Sequence, residues 1–172
     1  MRFAAECFRA HDPTWAWSPL SGAGAALKGR RFNWPGLEAL YLSLSFNTVF
    51  REVSGGFAHR LTPYVLCSYD VDCEDIVDLR TEAGRTEAGV DQGDLACAWG
   101  DALIARREPA SWGVVRRLIA QGQSGILVPS FAHGATTDDQ NLVLWRWGPE
   151  LPHKVMVYDP TGRLPMNSLS WS

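Results

Sequence analysis

A cation, an aromatic ring and a carboxylate follow one another at spacings of ten and eleven residues: Arg31, Tyr41 and Glu52. Arg31 lies in the run Gly-Arg-Arg-Phe-Asn-Trp-Pro-Gly over residues 29–36. A guanidinium binds phosphate oxygens through a fixed fork of donors. A tyrosine ring can stack on a flat heterocycle, and a carboxylate stabilises positive charge that develops nearby. The trio therefore suits an anionic substrate on which positive charge forms during reaction.

Each member of this trio also has an ordinary structural explanation. Arg31 alone reads as a surface arginine, Tyr41 as a core tyrosine and Glu52 as a surface carboxylate. Arg30 competes with Arg31 for the same role, because neighbouring side chains on an extended segment face opposite ways. Only one of the two arginines is then expected to point into a site.

Two polar residues much farther along the chain are further candidates. Ser130 follows the apolar run of residues 125–129, which predicts a strand that delivers a hydroxyl at its end, and Asn141 opens another apolar run. No G-x-S-x-G elbow surrounds Ser130, which disfavours a serine hydrolase. His133 lies three residues from Ser130, but no pattern marks it as a base. A strand-end turn and a loop cap remain the structural alternatives for Ser130 and Asn141.

Strand-like and helical segments alternate irregularly, which predicts one α+β domain over residues 1–172, with a mixed β core flanked by helices. Apolar and β-branched stretches predict strands over residues 3–9, 40–44, 63–71, 76–79, 125–129, 141–147 and 155–159. Helices are predicted over 47–59 (capped by Asn47 or Thr48), 95–106, and 111–121 (capped by Ser111). Residues 11–29 are predicted to form a long loop, and the duplicated Thr-Glu-Ala-Gly of residues 81–89 a loop insertion.

Composition excludes several classes of protein. The 172 residues are 46% hydrophobic and 20% charged, as in a globular domain with a sizeable core. A net charge of −3 argues against a nucleic-acid partner, which favours a basic surface. The four cysteines lack CxxC spacing, which predicts free thiols in a reducing cytoplasm rather than a zinc site. No apolar run reaches the roughly 20 residues of a membrane helix, and no signal peptide is expected.

Taken in order, these residues resemble the RES-domain family, the toxin halves of bacterial toxin–antitoxin modules whose antitoxins carry an Xre-like region. The matching pieces are Phe8-Arg9, the run over residues 29–36, Tyr41, Glu52, the block over 125–130 and Asn141-Leu142-Val143. No single piece is specific, but their order and spacing together are. The resemblance spans nearly the whole chain.

The resemblance implies an ADP-ribosyltransferase-like fold and NAD⁺ as substrate. No metal is required for this substrate, because the leaving nicotinamide is already a cation. It implies a site of Arg31, Tyr41 and Glu52 as catalytic residues, with Ser130, Arg9 and Asn141 binding the substrate. Arg31 is preferred to Arg30 because it directly precedes Phe32-Asn33. Water, phosphate or a protein side chain could accept the ADP-ribose, and the residues do not choose among them.

A cognate antitoxin that occludes the cleft is implied by the resemblance alone. The rival interpretation is a non-enzymatic module that uses its many tryptophans to bind a peptide or nucleotide. The rival rests on Trp15 and Trp17 in the long loop and on the Trp145-x-Trp147 pair.

Overall fold

The computed structural model describes residues 1–54 and 63–171, and a seven-stranded sheet forms its centre. The strands are β1 (Phe3–His11), β2 (Leu40–Ser43), β3 (Val65–Cys73), β4 (Ile76–Asp78), β5 (Gly125–Pro129), β6 (Gln140–Leu144) and β7 (His153–Val157). Their order is β4-β5-β6-β2-β1-β3-β7; β4 and β5 pair in parallel, and the other neighbouring strands of the described residues pair antiparallel. The predicted α+β architecture is confirmed.

Short helices flank the sheet within the described residues. They are α1 (Ala23–Lys28), α2 (Phe46–Ser54), α3 (Glu82–Glu87), α4 (Gln92–Leu95), α5 (Trp99–Ile104) and α6 (Ala110–Ala120), with 3-10 turns at Pro13–Trp15 and Ser168–Trp171. No helix in this part of the chain is both long and apolar enough to cross a membrane.

Two apolar clusters cover the two faces of the sheet. Alternation along β6 divides its side chains: Leu142 and Leu144 enter one cluster, while Val143 enters the other. The cluster around Val143 also receives Val115 and Leu118 of α6. Strand β5 contributes to both clusters, which explains why its sequence is an uninterrupted apolar run rather than an alternating one.

Several predicted boundaries are wrong, and hydrogen bonds to side chains explain them. Helix α2 begins at Phe46, because Ser45 Oγ accepts the Thr48 N–H at 3.1 Å; the cap is therefore neither Asn47 nor Thr48. Residues 55–59 of the predicted helix lie outside the described residues. Ser111 is not a cap either: it lies inside α6, where its hydroxyl donates to the backbone carbonyl of Arg31.

Two segments predicted as loops contain helices. The loop over residues 11–29 includes the Pro13–Trp15 turn and α1. The duplicated segment over residues 81–89 forms α3, because Thr81 Oγ1 accepts the Gly84 N–H at 3.1 Å and caps the helix.

Buried His11 at the end of β1 makes stability depend on pH. Burial, with a smaller contribution from the charge of Arg9, lowers the pKa of His11 to about 4. The unfolded chain therefore binds a proton below about pH 6.5 that the folded chain rejects, so stability falls as pH decreases. We expect the free energy of unfolding to drop by about 3 kcal/mol between pH 7 and pH 4.

Urea unfolding at a series of pH values measures this loss. The His11→Gln variant should show a nearly flat profile between pH 5 and 6.5, whatever its absolute stability. Carboxylates such as Asp78, whose pKa is lowered by its hydrogen bond to Arg80, act below about pH 5. An unchanged slope in the variant would show that another group is responsible.

Candidate active site

A cleft of about 730 Å³ opens where β1 and β2 separate. The two strands share one register pair, Phe8 with Ser43, so they diverge on leaving it. Side chains from β1, β2, α1, α2, β5, β6 and the run over residues 29–36 line the cleft. Its volume is in the range of small-molecule sites. Five predicted site residues lie in this wall: Arg9, Arg31, Tyr41, Glu52 and Asn141.

Glu52 is the centre of a hydrogen-bonded cluster in the cleft. Ser130 Oγ donates to Glu52 Oε1 at 2.6 Å, and Asn141 Nδ2 donates to the same oxygen at 2.7 Å. Ser43 Oγ donates to Asn141 Oδ1 at 2.8 Å and so orients the amide. The structure therefore brings together the predicted residues Glu52, Ser130 and Asn141, although they come from α2, the end of β5 and β6.

Asp139 fixes the helix that carries Glu52. Thr48 Oγ1 donates to Asp139 Oδ1 at 3.0 Å, and Arg51 Nε lies 3.3 Å from Asp139 Oδ2. The Ser130 N–H donates to the Asp139 carbonyl at 2.7 Å, which ties the same residue to the strand end. Asp139 is 4% exposed. Asp139 therefore fixes helix α2 relative to Ser130, and through this helix it positions Glu52.

Arg31 is half-buried against the wall of the cleft. Its Nη1 donates to the carbonyls of Leu95 at 3.0 Å and Cys97 at 2.6 Å, and Cζ lies 4.5 Å from the centroid of the Phe131 ring. Burial lowers the pKa of Arg31, while Cys97, Glu52 and Tyr41 oppose that shift. The guanidinium stays charged in any case.

These Arg31 contacts explain a wrong helix prediction. One helix was expected over residues 95–106, but α4 ends at Leu95 and α5 begins at Trp99. The carbonyls of Leu95 and Cys97 point to Arg31 Nη1 instead of continuing a helical ladder.

The Tyr41 side chain lines the cleft in part, but its hydroxyl is hydrogen-bonded within the protein. It donates to Asn33 Oδ1 at 2.9 Å and accepts the Phe32 N–H at 3.1 Å. Burial raises the pKa of Tyr41, so the phenol keeps its proton and remains a donor. The side chain consequently holds the run over residues 29–36 against β2.

Ser130 has the environment of a positioning residue rather than a nucleophile. Its hydroxyl donates to a carboxylate, and within the described residues no histidine hydrogen-bonds to it. A serine hydrolase needs a base that accepts the serine proton and is itself oriented by a third group. This arrangement does not favour the serine hydrolase alternative.

Comparison with known proteins adds the family to this geometry. The sequence model of the RES domain matches residues 6–167. The chain belongs to the RES-domain family. Its structure resembles a chain of the crystal structure of the M. tuberculosis MbcT–MbcA toxin–antitoxin complex, with a TM-score of 0.60 and 23% sequence identity. That alignment covers 92% of this chain and 84% of the other, and it establishes the fold. Comparison with curated proteins finds no match.

The RES domain contains two important residues that sequence reasoning missed. Asn33 is fully buried and donates through Nδ2 to the carbonyls of Ala25 and Leu37, each at 2.9 Å. Its place between Phe32 and Trp34 gave a signal, since a buried amide in an apolar context requires partners. Asp139 offered no signal of this role, because Thr48 and Arg51 are distant in sequence and its nearby partner Thr136 indicates only a local turn.

Proposed function

We propose that this RES domain is the toxin of a bacterial toxin–antitoxin module and cleaves the nicotinamide–ribose bond of NAD⁺. The proposal rests on the hydrogen bonding of the Glu52 carboxylate in the cleft. Oε1 is held by Ser130 and Asn141, whereas Oε2 makes no hydrogen bond within the described residues. One oxygen is thus oriented and the other is free for a substrate. Family membership supports NAD⁺, on which RES-domain toxins act.

The chemistry requires only the breaking of one C–N bond. Nicotinamide N1 leaves with the bonding electron pair and becomes neutral, while C1′ of the ribose acquires oxocarbenium character. A nearby carboxylate stabilises that positive charge more strongly than it stabilises the ground state. Glu52 is proposed to supply this carboxylate and to accept a hydrogen bond from the ribose. An acceptor then forms a new bond to C1′ and loses its proton.

The other residues are proposed to bind and orient the substrate. Arg31 adds positive charge beside the anionic part of NAD⁺, and Arg9 contributes a second guanidinium from β1. The part of the Tyr41 ring that faces the cleft is proposed to contact nicotinamide, although its hydroxyl is already used. Ser130 and Asn141 act mainly through the orientation of Glu52.

The acceptor of ADP-ribose defines the reaction class, and product analysis identifies it. Labelled NAD⁺ is incubated with the protein in phosphate buffer, in phosphate-free buffer and with cell lysate. Free ADP-ribose in every buffer indicates hydrolysis, ADP-ribose phosphate only in phosphate buffer indicates phosphorolysis, and label on a protein band indicates ADP-ribosylation. If NAD⁺ is not consumed under any of these conditions, the proposed function is wrong.

A toxin of this type requires restraint, so we propose a cognate antitoxin that occludes the cleft and carries an Xre-like region. Support comes from the family and from the structural likeness to a chain of a toxin–antitoxin complex. Co-expression with the product of the neighbouring gene should relieve toxicity and reduce NAD⁺ consumption. An equally active enzyme in the purified complex would contradict occlusion.

The non-enzymatic alternative has one observation in its favour, the aromatic rim of the cleft. Trp15 is 54% exposed and lines the cleft together with Trp99. The Trp145-x-Trp147 pair supports this alternative less well, because Trp145 Nε1 donates to the Phe32 carbonyl and Trp147 Nε1 to the Leu20 carbonyl. Measurement of NAD⁺ loss by the purified chain separates the two functions.

Removal of the Ser130 hydroxyl should weaken catalysis only moderately. In Ser130→Ala, Asn141 Nδ2 still holds Glu52 Oε1, so we expect a decrease of about tenfold in kcat. The unfolding free energy should fall by about 1 to 2 kcal/mol, because Ser130 is buried and the Ala132 N–H also loses its acceptor. Ser68→Ala, outside the cleft wall, is the matched control. A loss of 10⁴-fold or more would instead indicate a direct chemical role for the hydroxyl.

A further inference from the structure

One face of the sheet stays open to solvent where β1 and β3 pair. Side chains alternate across a strand, so Glu6 and Ala10 lie on the same face of β1. Their register partners on β3 are Asp70 and Leu66, which share that face. Glu6 and Asp70 are exposed, and Leu66 is 42% exposed. The surface therefore presents an apolar row, Ala10 and Leu66, and an acidic row, Glu6 and Asp70.

An apolar groove of about 220 Å³ lies at the apolar row. Its walls are Ala10 and Leu66 of the strands and an apolar stripe of α2 at Phe46, Val49, Phe50 and Val53. The i, i+3, i+4, i+7 spacing of that stripe is typical of a helix face that packs against protein. Phe46 and Phe50 are nevertheless 54% and 42% exposed. The groove lies beside the cleft, since Ala10 and Val49 line both, and it leaves part of the apolar stripe open to a partner.

The acidic row has no counter-charge of its own. Glu6 and Asp70 are directly opposite in the antiparallel pair, which puts their Cβ atoms about 5 Å apart. Neither carboxylate forms an ion pair among the described residues. The neighbouring cations lie beside Asp72, which accepts two hydrogen bonds from Arg2 and is the register partner of Lys154. Like charges directly opposite destabilise a sheet, so a cation brought between Glu6 and Asp70 would relieve their repulsion.

We propose that this surface docks an amphipathic helix of a partner protein. Apolar residues of that helix fill the groove, and a lysine or arginine lies between Glu6 and Asp70. Helix-in-groove recognition of this kind uses apolar anchors at i, i+3, i+4 and i+7. The two rows are four residues apart on β1, which is about 13 Å at about 3.3 Å per residue. A helix covers about 13 Å in about nine residues, so a helix of three turns connects the two rows.

Charge argues against a second copy of this chain as the occupant. A symmetric contact through this face would bring together two acidic rows and two chains that each carry a net charge of −3. Complementary charge steers association and suppresses wrong partners. A basic amphipathic helix therefore fits the face better than the face fits itself. The proposal does not depend on NAD⁺ turnover at Glu52.

Fluorescence anisotropy with two labelled synthetic peptides tests the surface. Both peptides are 18-residue amphipathic helices with leucines at i, i+3, i+4 and i+7. One carries two lysines at the end of the leucine stripe, and the other carries two glutamates at the same positions. We expect wild type to bind the lysine peptide at least about tenfold more tightly than the glutamate peptide.

Three variants locate the binding surface. Leu66→Thr, which keeps a β-branched residue on the strand, and Phe50→Gln should each weaken binding of the lysine peptide about tenfold. Glu6→Lys should weaken it by a similar factor, about tenfold. This variant places a cation opposite Asp70, so it should unfold in urea no more readily than wild type.

Matched controls make the same changes elsewhere. Ile104→Thr alters a side chain that is 85% exposed, and Glu87→Lys reverses the charge of an exposed glutamate; neither residue lines the groove. Both should bind the lysine peptide like wild type.

Several results would overturn the proposal. These are no binding of the lysine peptide by wild type, equal binding of the two peptides, or equal losses in the variants and their controls. Sedimentation of the wild-type chain tests the other occupant. A dimer that forms at micromolar concentration and is lost in Leu66→Thr would assign the groove to a second copy, and the partner helix would be wrong. If the peptide results hold but the chain consumes no NAD⁺, the docking surface stands and the proposed function fails.

Discussion

Glu52→Gln should lower kcat for NAD⁺ consumption by about 10³-fold, the largest kinetic effect expected from a single conservative change. The amide oxygen of glutamine can still accept the hydrogen bonds of Ser130 and Asn141, so the cluster geometry persists. What disappears is the negative charge that stabilises the oxocarbenium-like ribose. Because Glu52 is exposed, the unfolding free energy should change by less than about 1 kcal/mol.

The rate of nicotinamide release, measured beside urea unfolding, tests this expectation. Glu38→Gln is the matched control, because Glu38 is exposed and lies outside the cleft wall. It removes the same charge from the surface and should retain full activity. Full NAD⁺ consumption by Glu52→Gln would remove Glu52 from the mechanism, and equal losses in both variants would indicate a general effect of charge.

Asn33→Ala should destabilise the fold by about 3 to 5 kcal/mol, the largest effect on stability expected from a polar substitution. Asn33 is fully buried, and its side chain pairs with the carbonyls of Ala25 and Leu37 and with the Tyr41 hydroxyl. Alanine leaves the Leu37 carbonyl and the Tyr41 hydroxyl without this partner in a low-dielectric environment, while the Ala25 carbonyl keeps the Gly29 N–H. The penalty exceeds the value of the bonds themselves, because buried polar groups lose water as well.

Urea unfolding of Asn33→Ala, Tyr41→Phe and the double variant measures this network. Tyr41→Phe removes one hydroxyl and should cost about 1 to 2 kcal/mol. The double variant should be more stable than the sum predicts, because both changes disrupt the same hydrogen bond. Asn47→Ala is the control, since Asn47 is exposed on α2, and should change stability by about 0.5 kcal/mol or less. A loss below about 1 kcal/mol in Asn33→Ala would contradict a central role for the buried amide.

Local sequence predicted the strands better than the helices. The apolar run of β5 and the mixed apolar stretch of β1 are confirmed as strands, because their burial follows from composition and periodicity. The helix ends were missed where a side chain captured a backbone group. Ser45, Thr81 and Arg31 each make such a contact, and for Arg31 the partners are more than sixty residues away.

The candidate site was predicted as a set of residue types but not as an arrangement. The sequence predicts Glu52 as a carboxylate that stabilises positive charge. Its partners Ser130 and Asn141 lie 78 and 89 residues along the chain, and strand pairing between β5 and β6 brings them to the same place. No local sequence pattern predicts the pairing of β5 with β6.

The sequence alone was sufficient for the family and the fold class, because both depend on the order of short motifs and apolar stretches. It was also sufficient to place a cation, a ring and a carboxylate in one run. The different surroundings of Arg30 and Arg31 came from the folded chain. Neighbouring side chains diverge from a shared backbone, and their surroundings are built from distant elements: carbonyls after α4 for Arg31, and the open cleft beside β1 for Arg30.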